Sequence, residues 1–179
     1  SRPDDALRDM LIEVAPEGLR AAGKALFAAE KAMMSGDDDG MKYAEALGDW
    51  GDLGGYDLET QWAAAAQRSV KTPVTDFASR LVRELSGGER KRLVLDVLLN
   101  SGADVLFLDE PDNYLDIPTR AWLEEQINQC KSTILMVSHD RTLLERCATK
   151  IIAVEGSGAW VHGGSYLTWP EARQKRQEL

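Results

Sequence analysis

The clearest structural signal in this sequence is the stretch Val105-Leu106-Phe107-Leu108-Asp109-Glu110-Pro111. Its apolar residues form an unbroken run, which is typical of a strand covered on both faces in a parallel sheet. Similar runs follow at 133–137 and 151–154, and helical segments lie between the runs at about 118–129 and 141–147. This alternation of strands and helices predicts a doubly wound α/β sheet.

Polar side chains follow the first two predicted strands. Asp109 and Glu110 place adjacent carboxylates at the end of the first strand, and His139 follows the second. Ligands bind at this edge of open α/β sheets. An Asp there can hold Mg²⁺, and the next Glu can accept a proton from an attacking water. A strand that ends in a polar turn also explains the carboxylates, but the histidine on the same edge favours a functional site.

The residues before this region have the spacing of helices. Apolar side chains recur every three or four positions from 6 to about 67, with a break of glycines and acids at 35–40. This spacing predicts a helical subdomain over 1–84, which contains a helical hairpin at about 17–50 and a further short helix at 76–83.

The rest of the chain is predicted as two sections. Residues 85–169 contain a helix and the α/β core, and their last part, 160–166, resembles the turn of a small hairpin. The polar residues 170–179 are predicted to begin a helix or linker.

A second candidate site is Leu85-Ser86-Gly87-Gly88-Glu89, which precedes an apolar helical segment. Ser86 can cap that helix, and the two glycines let a phosphate approach backbone N–H groups at its positive end. Ser86 and Glu89 also have the spacing of a capping box, which is a purely structural alternative.

Composition excludes several classes of protein. The 179 residues carry 30 Asp and Glu against 21 Lys and Arg, and a net charge of −9 counts against general or sequence-specific DNA binding. No apolar run approaches the roughly 20 residues of a membrane-spanning helix. The two cysteines lack Cys-x-x-Cys spacing, and no signal peptide is visible at Ser1, so a cytoplasmic location is expected.

In order and spacing, four motifs resemble those of the ATP-binding-cassette ATPases, which are P-loop NTPases. They are Leu85-Ser86-Gly87-Gly88-Glu89, Leu106-Phe107-Leu108-Asp109-Glu110-Pro111, Leu115-Asp116 and Ser138-His139-Asp140-Arg141. The resemblance implies ATP and Mg²⁺ as ligands. Asp109 would bind the metal, Glu110 would be the general base and His139 would sense the γ-phosphate. The implied nucleotide contacts are Ser86, Gly87, Gly88 and Glu89 of the signature loop and Asp116 of the D-loop, with the signature loop capping ATP held by a second cassette.

Within that superfamily, the stretch 109–116 is similar to subfamily F, whose tandem cassettes act on ribosomes. Asp112 and Tyr114 stand where Thr and His are usual in that subfamily, and Asp96 is a further departure. The helical hairpin lies where these proteins carry an inserted arm, and the tail lies where their interdomain linker begins. The resemblance therefore implies that the parent protein is a cytoplasmic ATPase. Its implied partners are a second cassette and the ribosome.

A phosphate-binding Walker A loop is not found. Gly18-Leu19-Arg20-Ala21-Ala22-Gly23-Lys24-Ala25 fits its start, but Ala25 replaces the metal-binding hydroxyl, and the stretch has helical spacing and follows no strand. We therefore expect the carboxy-terminal portion of a first cassette, whose parent hydrolyses ATP while the isolated chain is inactive.

Three alternatives remain open. A transporter cassette shares all these motifs but works on a membrane partner. A DNA-repair ATPase is disfavoured by the negative charge and the absence of zinc-type cysteines. A non-catalytic interaction module is disfavoured by the presence of Asp109, Glu110 and His139.

Overall fold

The computed structural model describes residues 4–36, 40–156 and 158–177. The chain forms two compact units, Ser1–Ser101 and Gly102–Leu179. The boundary differs from the sequence-based division at 84–85, because the helix that begins at Gly87 packs on the helix before it and belongs to the first unit.

The first unit is helical. Its helices are α1 (Leu7–Leu11), α2 (Glu17–Met34), α3 (Gly40–Asp52), α4 (Gly55–Val70) and α5 (Gly87–Leu99). Helices α2 and α3 pack against each other, as the hairpin predicted at 17–50 requires. The acidic part of the predicted turn, 37–39, lies outside the described residues. Trp50 and Trp62 are wholly buried in the core of this unit.

The prediction of a helix at 76–83 is wrong. Two single turns of 3-10 helix, Val74–Asp76 and Val82–Glu84, lie there instead. Between them the chain pairs with the amino-terminal segment: Leu7 N donates to Arg80 O at 3.0 Å, and Val82 N donates to Asp5 O at 2.9 Å. In a helix over 76–83 the N–H of Val82 would donate to the carbonyl of residue 78, so its bond to Asp5 O excludes that helix.

The second unit is α/β. Its elements are β1 (Val105–Asp109), α6 (Ile117–Gln129), β2 (Thr133–Val137), α7 (Arg141–Cys147), β3 (Ile151–Glu155), β4 (Gly158–His162) and α8 (Trp169–Gln177). Strands β1 and β2 are parallel, with Val105 opposite Thr133 and Asp109 opposite Val137. Helix α6 connects them, which confirms the predicted strand, helix, strand unit.

The third predicted strand does not extend that sheet. Strand β3 pairs antiparallel with β4 in a separate two-stranded sheet. The turn of this hairpin lies between Glu155 and Gly158, not at 160–166, and Trp160 and His162 lie in β4. A connection this short brings β3 and β4 together at small entropic cost, whereas joining β2 would require a crossover. The doubly wound pattern is therefore reduced, in the described residues, to one parallel pair.

One face of the β1–β2 pair is uncovered. Leu106 and Leu108 are each 6% exposed, whereas Phe107, which alternates with them, is 76% exposed. We use the term open face for the exposed apolar residues of these two strands, Val105, Phe107, Leu135 and Val137. The unbroken apolar runs are typical of strands covered on both faces, but in the part of the chain that the structure describes this pair is covered on one face only.

Candidate functional site

The carboxyl ends of β1 and β2 form one sheet edge, and three of the predicted residues meet there. Asp109 ends β1, and the N–H of Glu110 donates to Val137 O at 2.8 Å, which extends the pairing by one residue. His139 Nε2 lies 3.3 Å from Glu110 Oε1. The sequence-based expectation that the histidine and the carboxylates share one edge is confirmed in its geometry.

Glu110 is held in an unusual conformation. Its backbone has φ of +44°, in the left-handed region that side chains with a Cβ rarely adopt. One carboxylate oxygen accepts a hydrogen bond from Asn113 Nδ2, and the other faces His139. The carboxylate is therefore held from two sides while its side chain stays 38% exposed. Strained backbone of this kind occurs preferentially at functional sites.

The Asp109 side chain is exposed beside Glu110. Over 4–36, 40–156 and 158–177, no group of three or more His, Cys, Asp or Glu residues could enclose a metal ion. Mg²⁺ does not need such a cage, since it is commonly held by one or two carboxylates together with water and substrate phosphates. Asp109 fits the role of one such ligand.

The loop after β1 is tied to the loop after β2. Asp112 is only 6% exposed, and its Oδ1 accepts a hydrogen bond from Ser138 Oγ at 2.7 Å. Ser138 Oγ in turn accepts one from Asp140 N at 3.0 Å. Sequence reasoning missed this contact, and the only signal for it was Asp112 in a position where Thr is usual.

Helix α6 completes the connection between these loops. Arg120 Nη1 pairs with Asp140 Oδ2 at 3.1 Å, and Arg120 Nε donates to Leu115 O at 3.1 Å. Asp140 also caps α7, and Asp116 caps α6 by accepting from Thr119 N at 2.9 Å. Asp116 is exposed at this helix start, so its predicted contact with nucleotide is compatible with a capping role.

The second candidate site lies in the first unit, at the start of α5. Ser86 Oγ accepts from Glu89 N at 3.2 Å, and Glu89 Oε2 accepts from Ser86 N at 2.8 Å. The backbone N–H of Ser86, and then its hydroxyl, lower the pKa of Glu89 below its ordinary value. The capping box is therefore formed. Apart from its chain neighbours and the backbone of its own helix, nothing lies within 4 Å of a Cβ built on Gly87, so the helix start is also open to a ligand.

Two further sequence features have structural explanations. The stretch 18–25 lies inside helix α2, which confirms that it is not a phosphate loop. Asp96 is 3% exposed and accepts hydrogen bonds from Arg68 Nη2 at 2.8 Å, from Asn100 Nδ2 at 2.9 Å and from Ser69 Oγ. It thereby ties α5 to α4.

A membrane span is not found: in the described part of the chain, no helix is both long and apolar enough to cross a bilayer.

Comparison with known proteins identifies the family to which this chain is similar. The profile of the ABC transporter family matches residues 21–113, about half of the chain. An "Antibiotic resistance protein" of Mycobacteroides abscessus is 47% identical across 98% of this chain. "Energy-dependent translational throttle protein EttA" of Haemophilus influenzae is 36% identical across 69% of the chain. "ABC transporter F family member 2" of Arabidopsis thaliana is 41% identical across 51%. The chain spans 33%, 22% and 13% of the lengths of these three relatives.

Proposed function

Since this chain belongs to the ABC transporter family, we propose that the protein containing it hydrolyses ATP, with Glu110 as general base. The observation that carries the proposal is the juxtaposition of Glu110 Oε1 and His139 Nε2 at 3.3 Å on the sheet edge where Asp109 ends β1. These are the residue types that hydrolysis of a bound phosphate requires, at the edge where such ligands bind.

Glu110 would take the proton from the attacking water. Its carboxylate is oriented by Asn113 and His139, and it is partly exposed, so a water can approach it. Positioning the base before substrate arrives lowers the entropic part of the barrier.

Asp109 would be the protein ligand of Mg²⁺, which supplies positive charge to the phosphates when bound. Its exposed carboxylate supports this role. His139 would contact the γ-phosphate, because its ring is 89% exposed next to the proposed base.

The start of α5 would bind nucleotide held by a second cassette. Gly87 and Gly88 would offer backbone N–H groups at the positive end of a 13-residue helix, which suits a phosphate. The N–H of Ser86 is bonded to Glu89, so Ser86 would contact the phosphate through its hydroxyl. Glu89 would act mainly by holding Ser86 through the capping box, and Asp116 would contact nucleotide from the start of α6. The sequence contains no Walker A loop, so we propose that other residues of the parent supply one.

We further propose that the parent is a cytoplasmic subfamily-F protein that acts on the ribosome. The names of two relatives, a translational throttle protein and an F-family member, support this proposal. The antibiotic resistance protein, which aligns with nearly the whole chain, is compatible with it.

The first prediction is made on the full-length parent. Glu110→Gln keeps the shape of the side chain and removes its basicity, so we expect the ATP turnover number to fall by about 10²- to 10⁴-fold. ATP binding should persist, because the amide still accepts from Asn113. Steady-state phosphate release and equilibrium binding of labelled ATP measure the two quantities.

Glu125→Gln is the matched control, since Glu125 is exposed on α6 and interacts with Gln129, away from the sheet edge. Unchanged turnover in Glu110→Gln would refute the assigned role.

The Glu110→Gln variant also tests the partner. Because it should retain ATP, we expect it to cosediment with ribosomes when ATP is present. Copurification with a membrane subunit instead would establish the transporter alternative.

A further inference from the structure

Asp112 is buried in the loop after β1, yet the chemistry proposed above does not use it. Its side chain accepts a hydrogen bond from Ser138 Oγ at 2.7 Å, and the residue is 6% exposed. A carboxylate is costly to bury, and a single hydroxyl offsets little of that cost. Its placement therefore requires a reason other than packing.

The hydroxyl of Ser138 has one hydrogen, and this hydrogen points to Asp112. The oxygen can then accept from Asp140 N, which lies 3.0 Å away. Asp112 thus fixes the direction of the Ser138 hydroxyl, and the hydroxyl fixes the backbone at Asp140. Both chain neighbours of His139 are held in this way.

These bonds belong to a closed ring. Asp140 pairs with Arg120 at 3.1 Å, Arg120 Nε donates to Leu115 O at 3.1 Å, and Leu115 N donates to Asp112 O at 3.3 Å. We call the five residues the Asp112 ring: Asp112, Ser138, Asp140, Arg120 and Leu115. The ring joins the loop that carries Asp116 to the loop that carries His139.

The imidazole of His139 itself makes few contacts. It is 89% exposed, and within the described ranges the one acidic side chain at ion-pair distance is Glu110. The position of the imidazole therefore depends on the backbone that carries it. That backbone is set by Ser138 on one side and Asp140 on the other.

We propose that Asp112 is a positioning residue, which holds His139 beside Glu110 through the Ser138 hydroxyl. The inference rests on the proposed function, because it assigns Asp112 to the same hydrolytic site. Through Leu115, the ring also makes the position of His139 depend on the loop that begins α6.

The test uses the full-length parent and separates turnover from binding. In Asp112→Ala and in Ser138→Ala we expect kcat for ATP to fall about 10- to 100-fold, because the imidazole is displaced from the reacting groups. KM for ATP should stay within about twofold of its original value. Asp112→Asn should retain most of the turnover, since its amide oxygen still accepts from Ser138.

The double variant Asp112→Ala/Ser138→Ala should lose no more activity than either single variant, because both break the same link. Ser132→Ala is the matched control. Ser132 donates to Ala103 O at the other end of β2, and its loss should leave kcat unchanged.

Thermal melting of each variant establishes whether it is folded. If Asp112→Ala does not fold, Ser138→Ala provides the test. If folded Asp112→Ala and Ser138→Ala have the same kcat as the unsubstituted protein, the inference is overturned. It is also overturned if Asp112→Asn loses as much activity as Asp112→Ala. Either result, together with an inactive Glu110→Gln, would leave the proposed function standing. Full activity in Glu110→Gln would refute both the proposed function and the inference about Asp112.

Discussion

At the scale of single residues, Asp96 and Asp112 share a structural role. Both are nearly fully buried, and each receives hydrogen bonds from a neighbouring element. Asp96 joins α5 to α4, and Asp112 joins the loops after β1 and β2. Removing such a carboxylate leaves its donors unmatched, which is more costly than the hydrogen bond alone. Acidic residues at buried positions therefore connect elements in both units.

Glu89 gives a prediction about pH. Hydrogen bonds from Ser86 lower the pKa of Glu89, so its ionised form stabilises the fold above the unfolded-state value of about 4.3. The contribution is lost as pH falls through the lower folded-state value. Because Glu89 is exposed, we expect Glu89→Gln to reduce the free energy of unfolding by at most about 1 kcal/mol at pH 7. The difference should shrink towards pH 3, as measured by urea unfolding.

An equal difference at both pH values would show that the Glu89 carboxylate does not stabilise the cap as a charge. Ser86→Ala serves as the comparison, because it removes the hydroxyl and leaves the backbone N–H of residue 86 in place.

The residues at the sheet edge were predictable, but their connections were not. Apolar runs place the strand ends, so Asp109, Glu110 and His139 could be assigned to one edge from the sequence. The hydrogen bond from Ser138 to Asp112 depends on which loops meet and at what distance. Single-sequence patterns carry no such information, and Asp112 could be recognised only as unusual.

At the scale of elements, predictions succeeded where local chemistry decides the structure. Ser86, the predicted cap, precedes α5, which begins at the next residue. The structure adds caps at Asp116 and Asp140, which directly precede α6 and α7. Predictions failed where pairing decides. The apolar run of β3 indicates a strand but not its partner, and the segment 76–83 is bound by residues far away in sequence.

Two glycines within helices give opposite predictions for the same substitution. A Cβ on Gly23 of α2 would lie 2.4 Å from Ile12 Cδ1 and 2.8 Å from Trp50 Cζ3, whereas a Cβ on Gly48 of α3 would meet nothing within 4 Å. We expect Gly23→Ala to destabilise the fold by about 1–3 kcal/mol through overpacking. Gly48→Ala should stabilise it by about 0.5–1 kcal/mol through helix propensity.

Chemical denaturation of the two variants measures both free energies. Each glycine serves as the control for the other, since the change in side chain is identical. A stabilising Gly23→Ala would show that α2 does not pack as closely on Ile12 and Trp50 as described.

At the scale of the whole molecule, the open face dominates the expected behaviour of the 179-residue chain. Exposed contiguous apolar surface promotes association, and the net charge of −9 opposes it only in part. We expect Phe107→Ser to reduce self-association of this chain, as seen by sedimentation velocity over a range of concentrations. Its stability should change by no more than about 0.5 kcal/mol, since Phe107 is 76% exposed.

The neighbouring position is the control. Leu108 is 6% exposed on the other face of β1, and Leu108→Ser should cost at least about 2 kcal/mol. Unchanged association in Phe107→Ser would mean that other surfaces drive it.

The segment 100–104, which joins the two units, is exposed throughout, and Gly102 has φ of +74°. Exposed joints of this kind tolerate cutting and insertion. A recombination event at Gly102 would transplant the helical hairpin and the start of α5 as one module. The sheet edge with Asp109, Glu110 and His139 would remain with the recipient. The helical unit and the sheet edge that carries the proposed chemistry can therefore be inherited from different ancestors.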